Sequence, residues 1–156
     1  MRLQKVGLVI LMGLLLTACV TTRPVDAPGV GKTETDTEKG VRYLLGRGVE
    51  QSNEQAFYYF SQAADDDDPV AQNEVAYLYA TGKGTAQNNI KALKYYVKAA
   101  NHGLASAQYN VGFFYLHGIG VPADATTARS WFEKAAARHF EPAEVALANM
   151  PVGATQ

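Results

Sequence analysis

Tyr43-Leu44-Leu45-Gly46-Arg47-Gly48-Val49 returns as Tyr79-Ala80-Thr81-Gly82-Lys83-Gly84-Thr85, and a third time as Tyr115-Leu116-His117-Gly118-Ile119-Gly120-Val121. Both steps are 36 residues, and no gap is needed to align them. The same offset relates Ala56, Ala92 and Ala128, then Tyr59, Tyr95 and Trp131, then Phe60, Tyr96 and Phe132. It also relates Ala63-Ala64, Ala99-Ala100 and Ala135-Ala136. So many coincidences at one offset define a repeat architecture before any local propensity is weighed.

Within a unit the apolar spacing is helical. Ala71, Val75, Leu78 and Tyr79 follow the i, i+4, i+7, i+8 pattern, and Ala107, Val111, Phe114 and Tyr115 repeat it. Each such stretch predicts a first helix, A, ended by Gly46, Gly82 or Gly118 in the left-handed C′ position. A second helix, B, begins at Ser52, Asn88 and Asp124, all favoured N-cap types at the common offset, and Ser52 with Gln55 has the spacing of a capping box. Asp68-Pro69 and Glu141-Pro142 suit the N-cap and N1 sites of the next helix A. Gly40, Ala76, Gly112 and Ala148 share one position, which predicts a close approach of neighbouring backbones there. The expected fold is all-α: an α-solenoid of stacked antiparallel helix pairs over residues 34–150, with three pairs and a capping helix Pro142–Asn149.

The Y-x-x-G-x-G of each unit, the following Ala, the aromatic pair and the Ala-Ala resemble the Sel-one-like repeat family, related to the tetratricopeptide repeats. The resemblance runs from roughly Thr33 to Met150, with Asp67 and His139 departing from Gly103 of the middle unit, and Gly40 standing where a helix interior would favour Ala. It implies a right-handed superhelix whose A helices line a concave groove. It turns Thr37 and Val41, Asn73 and Tyr77, Tyr109 and Phe113, and Val145 and Asn149 toward that groove, each pair sharing a helical face. Asn73, Tyr77, Tyr109 and Phe113, extended by Leu116 and His117, are the candidate protein-binding residues, since aromatic side chains beside asparagine offer contact area and hydrogen bonds to a peptide. The competing reading is that these aromatics finish the core of a short solenoid.

The first eighteen residues read as an address. Arg2 and Lys5 precede an apolar run, Val6 to Leu16, of secretory length. The run is shorter than the roughly 20 residues a permanent span requires. Leu16-Thr17-Ala18-Cys19 resembles the bacterial lipobox, which implies cleavage of residues 1–18 and lipidation of Cys19, with acyl chains holding the protein on a membrane. Val20, in place of the aspartate associated with inner-membrane retention, points by the same resemblance to the outer membrane and its periplasmic face. Residues 19–33 hold the lipidated cysteine and a Thr-, Pro- and Gly-rich flexible linker, and residues 151–156 form a tail.

Composition excludes several functions. Lys plus Arg number 14 against 15 Asp plus Glu, so the basic surface of a nucleic-acid binder is missing. One cysteine provides neither a disulfide nor a zinc ribbon, and His102, His117 and His139 share no unit position, so no metal is expected. Asp65-Asp66-Asp67-Asp68 falls at a turn, where solvated acids are ordinary. The G-x-G turns lack the preceding strand and following G-K-[ST] of a phosphate loop. Ser52, Ser61, Ser106 and Ser130 lack a nucleophile-elbow context. No catalytic residues and no cofactor are expected. The function that follows is a membrane-anchored periplasmic module, a scaffold or adaptor, binding a protein or peptide in its groove. An immunity protein neutralising a periplasm-targeted toxic effector is the alternative. A cell-wall or β-lactam hydrolase is more remote, because the relatives linked to that chemistry carry a disulfide in each repeat.

Overall fold

The computed structural model describes residues 34–150. Seven helices follow one another: α1 (Asp36–Leu45), α2 (Asn53–Asp65), α3 (Pro69–Thr81), α4 (Asn89–Asn101), α5 (Ala105–His117), α6 (Ala125–Ala136) and α7 (Glu141–Asn149). Among the described residues there is no strand. The odd-numbered helices are the A helices and the even-numbered ones the B helices, giving three A–B pairs and a final A helix.

Each A–B turn is built by the same bonds. Gly46, Gly82 and Gly118 adopt the left-handed conformation at the helix end, and the main chain then folds back so that Ser52, Asn88 and Asp124 donate their backbone N–H to the carbonyls of Tyr43, Tyr79 and Tyr115. Those three residues cap the B helices as expected, accepting from Gln55, Lys91, and Thr126 with Thr127. Ser52 does not complete a capping box; its hydroxyl instead bonds the Glu54 carboxylate. The complete box lies one helix earlier, between Thr35 and Glu38. Glu141 is not the cap of α7 either: Phe140 occupies that place and makes no side-chain cap bond, so Glu141 opens the first turn. Asp67 and His139 hold positive φ values of 61° and 59°, the conformation Gly103 adopts in the middle unit, so the departures in residue type leave the turn unchanged.

The small-residue position is explained differently from the expectation. A Cβ on Gly40 would lie 2.6 Å from the ring of Phe60, and one on Gly112 would lie 2.7 Å from the ring of Phe132. A side-chain ring of helix B, more than a neighbouring backbone, fills the space above the glycine. Phe60, Tyr96 and Phe132 are accordingly fully buried, each at the centre of one of three successive core clusters. In the first two pairs a second set of aromatics stacks: Tyr43 on Tyr59 at 5.5 Å and Tyr79 on Tyr95 at 6.0 Å, with Lys39 over Tyr59 and Lys98 over Tyr95.

Successive units are joined by main-chain contact. A Cβ on Gly84 would fall 2.1 Å from the carbonyl oxygen of Asn53, and one on Gly120 would fall 2.8 Å from the carbonyl carbon of Asn89. The second glycine of the G-x-G in the second and third units therefore presses on the first residue of the preceding helix B. Beside this contact Phe57 of α2 meets the ring of Tyr79 edge-on at 5.2 Å. Sandwiched between neighbours, α3 and α5 are buried on nearly every side, including the polar residues Gln72, Asn73, Glu74, Gln108 and Asn110. Gln72 and Gln108 answer their burial identically, each donating its amide to a carbonyl at the end of the preceding B helix, Ala64 and Ala100.

Candidate functional site: the inner face of the A helices

The A helices carry a row of side chains at common positions: Val41, Tyr77, Phe113 and Asn149 in one line, Thr37, Asn73, Tyr109 and Val145 in the next. Their surroundings divide them. Asn73 is 1% exposed, donates to the carboxylate of Glu74 at 3.2 Å and accepts from the amide of Asn110 at 3.3 Å. Its place among the binding residues is corrected by that burial, because it ties α3 to α5 and presents no free surface. Thr37 likewise spends its hydroxyl on Asp68, the residue that caps α3.

Tyr77 is half-buried against the middle cluster. Its hydroxyl accepts a hydrogen bond from the ammonium of Lys83 at 3.0 Å, and the same ammonium lies 5.2 Å from the ring centre. Phe113 is half-buried and packs against the exposed His117, the rings tilted by 50° with their centres 4.3 Å apart. Tyr109 packs more deeply: Phe113, Phe132 and Phe140 surround it at 6.5, 5.3 and 5.7 Å. That burial pushes its phenol above the ordinary tyrosine range. Leu116 is half-buried against the third cluster, while Val145 on α7 is 53% exposed. Tyr77, Phe113 and His117 therefore offer accessible aromatic surface, whereas Tyr109 and Leu116 divide their area between core and surface.

Two contributors escaped the sequence reading. Lys83 sits in a turn whose equivalents are Arg47 and Ile119, so nothing in the repeat marks it as the residue that steadies Tyr77. Phe140 was legible in retrospect, since Asp68 and Leu104 show that its position starts an A helix and Leu104 is already apolar. In the middle unit Tyr96 replaces the phenylalanine of its neighbours. Its hydroxyl is buried without a hydrogen-bond partner among the described residues, and burial, with the nearby charge of Glu74, pushes its pKa well above the usual value.

Among the described residues no group of His, Cys, Asp or Glu has the arrangement of a metal site, and no helix is long and apolar enough to cross a membrane. Cys19, the signal segment, the linker and the tail lie outside the described residues.

The Sel1 repeat pattern matches residues 40–68, 69–104 and 105–140, in register with the three helical units and well over half of the chain. The chain belongs to the Sel1 repeat family. A Sel1 repeat protein from Oxalobacter formigenes superposes with a TM-score of 0.68 at 36% identity, covering 74% of this chain and 86% of that one. A protective antigen of uropathogenic Escherichia coli with an SLR fold gives 0.68 at 32% identity; 69% of this chain corresponds to only 23% of that longer molecule. Cysteine-rich protein B of Helicobacter pylori gives 0.60 at 25% identity, over 76% of this chain and all of that one. No curated protein matches the sequence. Sel1 repeat proteins generally mediate protein–protein interactions.

Proposed function

We propose that this Sel1 repeat chain is a lipid-anchored periplasmic adaptor that grips a protein partner with the inner face of its A helices. The observation carrying the reading is the half-exposed aromatic group of Tyr77, Phe113 and His117 on consecutive A helices, bordered by Tyr109, Leu116 and the exposed Val145. Rigid aromatic side chains lose little entropy on docking, so a cluster of them on a preformed scaffold is an economical contact surface. The chain acts by holding its partner and performs no chemistry on it. Lipidation of Cys19 supplies the anchor, and Val20 directs the product to the outer membrane.

Replacing Tyr77, Phe113 and His117 together by alanine should abolish partner capture by crosslinking in intact cells while leaving helical dichroism in place. Undiminished capture rejects this surface. Cys19→Ala should block incorporation of labelled palmitate and release the chain from the membrane fraction; continued labelling or continued membrane association rejects the anchor.

A further inference from the structure

The units contradict one another at one place, the leading edge of the first. Gly84 and Gly120 are pressed against the start of the preceding B helix, at Asn53 and Asn89. Gly48, their equivalent, has φ +71° and the same turn, yet an added Cβ would meet nothing within 4 Å among the described residues. Tyr79 has the edge of Phe57 against it, whereas Tyr43 borders an open cavity of about 650 Å³, with Val49, Glu50, Ser52 and Glu54 among its walls. Leu45, at the end of the same helix, is 40% exposed.

The interior units state what covers such an edge. In both cases it is the first turn of an α-helix, its first residue lying against the glycine and an apolar side chain four residues later, Phe57 in α2 and Leu93 in α4, turned into the core beside the tyrosine. The upstream sequence does not repeat those residues: at the offset of 36, Thr21 stands ahead of Phe57, Pro24 ahead of Phe60 and Pro28 ahead of Ala64, so the aromatic and alanine signature of the repeat is missing there. Glu50 and Glu54, both exposed, border the cavity and favour the positive end of an incoming helix dipole.

We infer that the leading edge of the solenoid, at Gly48, Tyr43 and Val49, is a second docking surface that accepts the N-terminal turn of a partner protein's α-helix, basic in character, with an apolar residue four positions in. Capture of that helix completes the stack at the edge that the described residues leave open.

The chain carries a natural probe in its own α4 sequence, Asn88 to Asn101, which combines Leu93 at the required position with Lys91, Lys94 and Lys98. A fluorescent peptide of this sequence should bind the full chain saturably by anisotropy. Gly48→Ala, which closes the backbone approach, should weaken binding at least tenfold, as should Val49→Arg, which leaves the glycine intact. Aspartate at the Leu93 position of the peptide should do the same. Dichroism verifies that each chain variant keeps its helices. Absence of binding, or binding indifferent to both variants, overturns the inference. Self-association of the full chain that Gly48→Ala abolishes also overturns it, by assigning the edge to a second copy. Tyr77→Ala should leave peptide binding unchanged, which separates this surface from the aromatic inner face.

Discussion

Gly84 and Gly48 form a matched pair that isolates the energy of the contact between units. Both hold φ near +70°, so alanine at either position carries the left-handed penalty of about 1–2 kcal/mol, offset in both by the same loss of unfolded-state freedom. Only Gly84 faces main chain: its Cβ would lie 2.1 Å from Asn53 O, 2.4 Å from Asn53 C and 2.8 Å from Glu54 N. No side-chain rotation relieves that overlap, so the second unit must tilt away from the first, an overpacking strain on the order of 1–3 kcal/mol. Gly84→Ala should therefore cost about 2–4 kcal/mol in urea denaturation of the full chain, and Gly48→Ala about 1 kcal/mol, the difference being the contact itself. Gly120→Ala, with its nearest atom at 2.8 Å, should fall between them. Equal midpoints for the Gly84 and Gly48 variants would refute the claim that the units are joined through this backbone contact.

Tyr96→Phe removes a buried hydroxyl that has no partner among the described residues and restores the residue type of the other two units, so stability in urea should be unchanged or raised by about 1 kcal/mol; a clear loss would reveal a bond to the hydroxyl. The carboxyl of Asp124 is held below its ordinary range, first by the hydroxyl of Thr127 and then by the N–H groups of Thr127 and Thr126. A depressed folded value means its contribution is complete above about pH 4, where the unfolded carboxyl is ionised, and is lost as pH falls through the folded value. The stability difference between the native chain and Asp124→Ala should therefore shrink with acidification below that point in pH-dependent melting, and a difference that grows there would contradict the capping role.

The repeat was open to reading because each unit states its turns twice over, in the glycines after helix A and in the polar caps Ser52, Asn88 and Asp124 before helix B. Asn73 was misread because its burial depends on α5 lying alongside α3, and the bond to Asn110 spans 37 residues that local periodicity does not register. Gln72, Glu74 and Gln108 share that difficulty: polar residues on every face of α3 and α5 look solvated until neighbouring helices close over them. Gly40 looked like a weak helix former because its reason, the ring of Phe60, belongs to the next helix. Tyr109 was legible as an aromatic on the inner face, and its share in the core stood as the competing reading; Phe140, one of the rings that gives it that share, was not singled out.

At each joint the receiving side is main chain, the carbonyl end of Asn53 or Asn89, while the demand for a particular residue falls only on the glycine that arrives. A connection of that kind is indifferent to the side chains around it on one side. Whole units can therefore be duplicated or deleted in the course of evolution without redesigning the hinge they meet, and length becomes the easiest property of such a molecule to change.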